Sequence, residues 1–319
     1  MLYLPTPMHI PDGFLSVVVS IIFWVISAVV IAVALRKVNK QLGEKEVPLM
    51  GILAAAIFAG QMLNFSVTGG TSGHLMGAAI ATILVGPWAA VLVMTSVVSV
   101  QAIVFQDGGL LVLGANIFNM GIIGVAVSYT MFRLFQKISN GKRWGLLTGS
   151  FLAGWTSIFI ASLVAALQLA LSNTSPANLA IPAMGGIHAL IGIGEGLITL
   201  GAVAFLIASR RDLVEAGTLH NKDNRTVWIG GAVVTVILAV LSPIASSHPD
   251  GLEWVAEKIG FLDKARGAVY NVVPDYVMPG LNNEALATII AGIIGAIIVF
   301  AVAYGVASSR KKSSGEETV

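Results

Sequence analysis

Apolar segments separated by short polar connections occupy almost the whole chain. Nine of them are predicted to lie in a membrane: 14–35, 47–65, 74–85, 88–105, 113–135, 144–171, 181–208, 227–244 and 284–308. Most approach the roughly 20 residues that an α-helix needs to cross the hydrocarbon layer. The pattern therefore predicts an all-α fold, a polytopic bundle of membrane helices in which a seven-segment core is followed by two C-terminal transmembrane helices.

The segment 74–85 is too short to cross a membrane by itself. It stops at Gly86-Pro87, and glycine and proline are the residues that most readily interrupt a helix. An interruption at membrane depth is tolerated only where it is buried inside a bundle. We therefore predict that 74–85 is a half-span, hairpinned to the helix that follows it.

Composition agrees with a membrane protein and limits its chemistry. Apolar residues make up 56% of the chain and charged residues 11%, against about 25% charged in an ordinary soluble domain. The net charge of +2 shows no basic excess that would favour nucleic acid as a partner. Because cysteine is absent, disulfides and thiolate metal sites are excluded, and any metal must be held by nitrogen or oxygen.

The basic residues predict the orientation of the bundle. If the nine segments alternate in direction, 15 of the 18 Lys and Arg residues fall on one side, which the positive-inside rule assigns to the cytoplasm. We therefore predict a multi-pass protein of the cell membrane with its N-terminus outside and its C-terminus in the cytoplasm. The 15 residues are Arg36, Lys37, Lys40, Lys45, Arg133, Lys137, Lys142, Arg143, Arg210, Arg211, Lys222, Arg225, Arg310, Lys311 and Lys312.

A polar stretch at 212–225 divides the chain into two parts. We predict a seven-segment metal-binding membrane domain over 8–211, a cytoplasmic linker over 212–225, and a two-helix domain over 226–319 with an external loop at 245–283. Residues 1–7 are predicted to be an extension or a misassigned start.

Polar residues in the predicted segments gather toward the outer half of the membrane. Ionisable groups inside a membrane suggest a functional site, whereas Asn and Gln side chains often only form hydrogen bonds between helices. His188 and Glu195 are seven residues apart and share one face of a helix, so a buried structural pair is also compatible with them. The pattern indicates an outward-facing polar pocket. Its candidate residues are Gln61, Asn64, His74, Asn116, Asn119 and His188, with Glu195 near mid-membrane.

The sequence Met8-His-Ile-Pro-Asp-Gly-Phe-Leu15 directly precedes the first segment. A chain that began at Met8 would offer three nitrogens to one metal: its free amine, the His9 amide and His9 Nδ1. These nitrogens close a five-membered and a six-membered chelate ring. A second imidazole, such as that of His74, would complete a square of four nitrogens, which is typical of Ni(II) or Cu(II), with Co(II) as a competitor.

This N-terminal motif resembles that of the CbiM/NikM family, the substrate-binding components of cobalt and nickel energy-coupling factor transporters. Three further stretches share the resemblance: GGTSGHL at 69–75, LGANIFNMG at 113–121 and HALIGIGEGLIT at 188–199. In addition, SHPDGLE at 247–253 is similar to the PDGLE motif of the small two-helix CbiN-like component that is fused to this family in some systems. The likeness extends from residue 8 to about 308.

The resemblance implies a function, ligands and partners. The chain would capture Ni(II) or Co(II) outside as its transported substrate, without a bound organic cofactor. Its partners would be a transmembrane coupling subunit and cytoplasmic ATPase subunits of the same transporter, and the chain itself would lie in the lipid bilayer. The implied metal ligands are Met8, His9 and His74. The candidates for supporting positions are Asn64, Ser72, Asn116, Asn119, His188 and Glu195.

The N-terminus departs from the family pattern. The family's methionine is the initiator, whereas here MLYLPTP precedes Met8. The amine ligand therefore requires a chain that starts at Met8.

Two other classes of function are weighed against this one. The alternative is a self-sufficient secondary metal transporter or channel, which usually carries carboxylates along its path, whereas only Glu195 lies deep here. An enzyme is not expected, because a membrane metalloprotease would need His-Glu-x-x-His. The chain also lacks a Walker A motif, so its partners would supply ATP hydrolysis.

The position of the implied ligands predicts the result of a truncation. Because these ligands all precede residue 80, truncation after Arg225 is expected to preserve metal affinity and impair import. Axial ligation by His248 is the alternative, in which case truncation would also weaken binding.

Overall fold

The computed structural model describes residues 8–38, 46–209, 225–268, 270 and 272–309. Within these residues seven helices are long and apolar enough to cross a membrane, and Val47–Gln61 is a shorter apolar helix. The predicted polytopic all-α class is confirmed. The helices are α1 Val17–Val38, α2 Glu46–Gln61, α3 Ala78–Val100, α4 Leu113–Asn116, α5 Gly124–Ile138, α6 Arg143–Leu171, α7 Ala177–Ser209, α8 Arg225–Leu241, α9 Gly251–Ile259 and α10 Glu284–Ser308.

Several predictions concern residues outside the described ranges. They are the extension at 1–7, nearly all of the linker at 212–225 and several of the basic residues that were used for the orientation.

The described residues also form two π-helical stretches, one small hairpin and three 3₁₀ helices, Ser242–Ile244, Leu262–Lys264 and Pro274–Tyr276. The π-helix Gln101–Phe105 extends α3, and the π-helix Ile117–Ile123 joins α4 to α5. Strands β1 Phe65–Val67 and β2 Thr71–Gly73 pair antiparallel. Gly69 and Gly70 make the turn between them with φ angles of 89° and 77°, a backbone region that glycine adopts without steric cost. The predicted segment 47–65 is therefore too long, because α2 ends at Gln61.

The predicted hairpin at Gly86 is present inside α3. Gly86 has φ 75° and ψ 168°, which interrupts the helix. On the neighbouring segment, a Cβ added at Gly121 would lie 3.4 Å from Met94, and one at Gly124 would lie 3.0 Å from Ala78. In a straight helix Ala78 and Met94 would be about 24 Å apart. The two halves of α3 therefore fold back on each other, and the first half begins at Ala78, four residues later than predicted.

Apolar side chains cover the outside of the bundle. Only 22% of the most apolar window of α1 and 17% of that of α8 is buried. Large apolar surfaces of this kind belong in contact with lipid or with another protein. The exposed side chains of α1 include Val17, Val18, Ile21, Ile22, Val25 and Val29.

Small residues bring α6 and α7 into close contact. A Cβ added at Gly192 would lie 2.9 Å from Trp155, and one at Gly196 would lie 2.8 Å from Phe151. From the other side, a Cβ at Gly154 would lie 3.0 Å from the Glu195 carbonyl oxygen. Spaced glycines allow helix backbones to approach in this way. Consequently α7 is held firmly along the same stretch that carries His188 and Glu195.

The C-terminal part packs against the core both in the bundle and in the loops. In the bundle, a Cβ at Gly295 of α10 would lie 2.3 Å from Phe58 of α2. In the loops, Ser72 N donates to Pro249 O at 2.8 Å and Arg266 N donates to Asp12 O at 2.7 Å. We name this end of the bundle, where the N-terminal motif, the β-hairpin and the loop at 245–283 meet, the motif end.

Candidate metal centre

A cavity of about 90 Å³ lies at the motif end. The N-terminal motif, the loop after β2, α4 with its π-helical extension, α6, α7 and the start of α9 all contribute to its walls. A volume of this size accommodates an ion and a few waters. Its polar and sulfur-containing lining residues are Met8, His9, His74, Met76, Asn116, Asn119, Met120, Ser162, Met184, His188 and Asp250.

His9 is buried with an exposed fraction of 4%. Its backbone N donates to Asp107 Oδ1 at 3.2 Å, and its Nδ1 lies 3.3 Å from both the carbonyl oxygen and Oδ1 of Asp107. The two His9 nitrogens predicted to chelate a metal therefore converge on one point, and a carboxylate oxygen occupies that point. The opposite ring nitrogen, Nε2, is buried without a hydrogen-bond partner among the described residues.

His74 meets His9 at the cavity. The two ring centroids are 5.6 Å apart and the rings are nearly perpendicular, at 84°. His74 Nδ1 contacts the Leu75 carbonyl oxygen at 3.0 Å. Burial, and then the neighbouring His9, lower the pKa of His74. The neutral imidazole, which is the form that binds metals, is therefore favoured near neutral pH.

His188 approaches the cavity from α7. Its Nδ1 contacts the Met184 carbonyl oxygen at 2.8 Å, which fixes the ring within its own helix. Across the cavity, a Cβ added at Gly251 would lie 2.9 Å from His188 Cε1. His188 is therefore covered directly by the first residue of α9.

Two predicted asparagines also line the cavity, and each forms a pair of hydrogen bonds. Asn116 Nδ2 donates to Ile10 O at 3.0 Å, while its Oδ1 accepts from Ile10 N at 3.1 Å. Asn119 and Gln168 exchange two hydrogen bonds of 2.8 and 2.9 Å. Asn116 thus holds the N-terminal motif in place by its backbone, and Asn119 bridges to α6.

Four predicted residues do not line the cavity. Gln61 is fully buried and donates through Nε2 to Met76 O at 2.8 Å. Glu195 is fully buried and accepts hydrogen bonds from Met76 N at 2.7 Å and Gly77 N at 3.1 Å, so it caps the first half of α3. Ser72 donates through Oγ to His248 O at 2.8 Å. The backbone carbonyl oxygen of Asn64 accepts a hydrogen bond from Ser246 N at 2.8 Å. These contacts join parts of the fold around the cavity.

Asp107 and Tyr276 were not predicted from the sequence, yet they contact each other beside His9. The exposed fraction of Asp107 is 3%, and its Oδ2 accepts a hydrogen bond from the Tyr276 hydroxyl. Burial, and then the Asp107 charge, raise the pKa of Tyr276 well above its ordinary value, so the hydroxyl remains a donor. Asp107 stands in Gln106-Asp107-Gly108-Gly109, a composition typical of turns. Nothing in that pattern relates it to His9.

The glycines beside Asp107 let the N-terminal motif lie against this loop. A Cβ added at Gly108, which has a φ of 94°, would lie 3.0 Å from His9 Cβ. One added at Gly109 would lie 2.1 Å from Asp12 Oδ1. Side chains at these positions would displace the motif, so the loop holds His9 by close backbone contact.

The C-terminal part closes the cavity with the start of α9. Asp250 caps α9 by accepting from Glu253 N at 2.7 Å. Burial is the main cause that raises the pKa of Asp250 well above its ordinary value. The side chain of His248 is exposed and does not line the cavity. The structure therefore does not bring His248 to the site as an axial ligand.

Two family descriptions match this chain. Residues 9–213 match the family described as a cobalt uptake substrate-specific transmembrane region, CbiM. Residues 225–312 match the PDGLE domain.

Curated proteins are similar over most of the chain. It is 36% identical over 300 residues to a putative fused nickel transport protein NikMN of Archaeoglobus fulgidus, with 93% of this chain and 97% of the relative covered. It is 33% identical over 297 residues to the fused nickel transport protein NikMN of Rhodobacter capsulatus, with 86% and 84% covered. The cobalt transport protein CbiM of Sorangium cellulosum is 32% identical over 217 residues, which are 65% of this chain and 95% of that protein.

A solved structure is also similar. It is described as a truncated transition metal transporter and has a TM-score of 0.56 and a sequence identity of 36%. The likeness covers 63% of this chain and 98% of the solved chain.

Proposed function

Because the chain belongs to the cobalt and nickel transport protein family CbiM, here followed by a PDGLE domain, we propose that it is the substrate-binding component of an ATP-driven energy-coupling factor importer for Ni(II) or Co(II). It captures the metal at the motif end. A separate coupling subunit and ATPase subunits then drive its transfer inward.

One observation carries this proposal: three imidazoles line a single small cavity at one end of a membrane bundle. Imidazole nitrogen suits nickel, and geometry and metal availability, rather than affinity alone, decide between divalent metals. We propose His9 and His74 as ligands, with the amine of Met8 in a chain that starts there. His188, Asn116 and Asn119 support the site from its walls, while Asn64, Ser72 and Glu195 hold the surrounding segments.

Metal titration of purified protein tests the site. His9→Ala is expected to abolish Ni(II) and Co(II) binding, because it removes one ligand and opens the six-membered chelate ring. His74→Ala is expected to weaken binding strongly. His248→Ala is the matched control, since its side chain is exposed away from the cavity, and it should bind as the unaltered chain does. Unchanged affinity in the His9 and His74 variants would contradict the site.

Reconstitution in liposomes tests the transport mechanism. The chain alone is expected to accumulate little metal, and ATP-dependent uptake should appear when the coupling and ATPase subunits are added. Glu195 is the deep carboxylate that a secondary transporter could use along its path, but here it accepts hydrogen bonds from two backbone N–H groups and caps a helix. This role supports the expectation that the chain alone accumulates little metal. Rapid, saturable uptake by the isolated chain under an ion gradient would instead favour a secondary transporter.

We propose the domain boundaries and the orientation on the same basis. The membrane domain spans 8–211, the linker 212–225 and the PDGLE domain 226–319. The motif end faces outward in the cell membrane, and the C-terminus is cytoplasmic. Labelling of single cysteines introduced at Gly70 and Asn140, in intact cells, tests the orientation, because only the Gly70 position should react with an impermeant thiol reagent.

A further inference from the structure

Asp107 joins the metal site to the C-terminal part of the chain. One carboxylate oxygen contacts both His9 nitrogens that are proposed to bind metal, at 3.2 and 3.3 Å. The other accepts the hydroxyl hydrogen bond of Tyr276, which lies 169 residues later in the chain. All three side chains are buried. A hydrogen bond buried in such surroundings is stronger than the same bond in water.

The backbone at Tyr276 is held in a conformation that few residues adopt. Asp275 and Tyr276 have φ angles of 54° and 59°, in the left-handed region that non-glycine residues rarely adopt. Such strain persists only where surrounding contacts impose it, and it occurs often at functional sites. Here the Tyr276 ring stacks on Phe105, with centroids 4.8 Å apart and an interplanar angle of 13°. The strained turn therefore delivers the hydroxyl to Asp107.

We propose that Tyr276 is a positioning residue of the metal site, acting through Asp107 on His9. The inference rests on the proposed function and adds to it a residue of the PDGLE domain. Asp107 holds the amide and ring of His9 together, in the arrangement that a chelate needs. A metal bound by the two nitrogens would release the amide proton to solvent and replace the contacts with Asp107, and Tyr276 would remain as the hydrogen-bond donor to Asp107.

This arrangement predicts the effect of removing one oxygen atom. In Tyr276→Phe the ring can still stack on Phe105, but metal binding would leave the buried Asp107 carboxylate without the hydroxyl donor. Loss of a group that supports a metal ligand typically lowers metal affinity about 10–100-fold. We expect this loss for Ni(II) and for Co(II).

Tyr270→Phe provides a matched control in the full chain. Its hydroxyl also tethers the C-terminal loop to the core, donating to Ala102 O at 3.4 Å, and it does not contact Asp107. Both variants lose a tyrosine hydroxyl from the same loop. Only Tyr276→Phe should lose affinity and shift the ligand-field absorption bands of bound Ni(II), because only there does His9 change position.

A double-mutant cycle separates positioning from general stability. Affinities are measured for Tyr276→Phe, Asp107→Asn, the double variant and the unaltered chain. If Tyr276 acts through Asp107, adding Tyr276→Phe to Asp107→Asn costs little further affinity, because the shared interaction is already lost. Additive losses, or an affinity of Tyr276→Phe equal to that of the unaltered chain, would overturn the positioning role. Failure of the unaltered chain to bind either metal would instead overturn the proposed function itself.

Discussion

At the scale of single residues, the imidazoles are oriented before any metal arrives. Nδ1 of His74 faces the Leu75 carbonyl and Nδ1 of His188 faces the Met184 carbonyl, each within 3.0 Å. His9 differs, because the Nδ1 that faces Asp107 is itself the ring nitrogen proposed to bind the metal. A hydrogen bond to one ring nitrogen fixes the orientation of the ring and decides which nitrogen is left for a metal. In the proposed metal site, this preorganisation would reduce the entropy cost of binding the metal.

The supporting role of His188 is testable by substitution. His188→Ala is expected to lower Ni(II) affinity about 10–100-fold without abolishing binding, because His188 lines the cavity and is not one of the proposed ligands. Titration beside His9→Ala distinguishes the two roles. If His188→Ala abolishes binding as completely as His9→Ala, His188 is a ligand and the set of four nitrogens needs revision.

Methionine is concentrated at the same cavity. Four of the ten methionines in the chain, Met8, Met76, Met120 and Met184, contribute to its lining. Thioether side chains are flexible and fill irregular gaps, so they suit the uneven wall of this cavity.

At the scale of helices and loops, Glu195 fixes the short half of α3 to α7. The first N–H groups of a helix have no partner in their own helix and need an external acceptor. Glu195 supplies it for Met76 and Gly77, just before the helix begins. His74 lies two residues before Met76, so the same contact holds the loop that carries His74.

We expect Glu195→Ala to reduce stability more than it reduces metal affinity. It would leave two buried N–H groups without acceptors, at about 1–3 kcal/mol each. Thermal unfolding in detergent, with Ser209→Ala on the exposed end of α7 as control, measures the effect. A variant with an unchanged melting temperature would show that the cap contributes nothing to stability.

The contact between α9 and α7 depends on a glycine. A Cβ at Gly251 would lie 2.7 Å from Ile191 and 2.9 Å from His188. Gly251→Val is therefore expected to push α9 away from the cavity, with an overpacking cost of about 1–3 kcal/mol. Gly267→Ala is the control, since nothing lies within 4 Å of its added Cβ.

Protection of the His188 ring gives the readout for Gly251→Val. Accessibility of His188 to a water-soluble imidazole reagent should rise in Gly251→Val and stay low in Gly267→Ala. Equal reactivity in the two variants would contradict the covering role of α9.

At the scale of the whole molecule, the two parts form one structure around the proposed metal site. The core contributes the proposed ligands, and the C-terminal part contributes the cover at Asp250–Leu252 and the Tyr276 hydrogen bond. The ligand positions alone led to the expectation that truncation after Arg225 would preserve metal affinity. The contacts of Asp107 change that expectation, because truncation removes Tyr276.

We now expect the chain truncated after Arg225 to bind Ni(II) about as weakly as Tyr276→Phe does, a loss of about 10–100-fold. It should also import poorly in the full complex. The cobalt transport protein CbiM of Sorangium cellulosum matches 65% of this chain over 95% of its own length. A protein of this type therefore exists without the remaining third of this chain. Measurement of affinity and uptake for the truncated and full chains checks both statements. Native affinity after truncation would contradict the role of Tyr276.

Much of the architecture is readable from the sequence, because the bilayer imposes simple rules on it. Helix length must match hydrocarbon thickness and backbone groups must be satisfied internally. The apolar segments and the break at Gly86 therefore predicted the fold class and the hairpin in α3. The sequence also predicted His9, His74 and His188 as candidate residues, since imidazole in or beside a membrane segment is conspicuous, and all three line one cavity.

Only the tertiary structure assigned partners to the polar groups. Glu195 shares a helix face with His188 in the sequence pattern, yet it binds the backbone at Met76 and Gly77. Asp107 reads as part of a glycine-rich turn, and Tyr276 as an ordinary loop residue. Their contact with each other and with His9 spans separations of 169 and 98 residues. Periodicity and composition report which surface a residue faces, whereas a hydrogen bond depends on a distance of about 3 Å between atoms, which only the packed helices and loops determine.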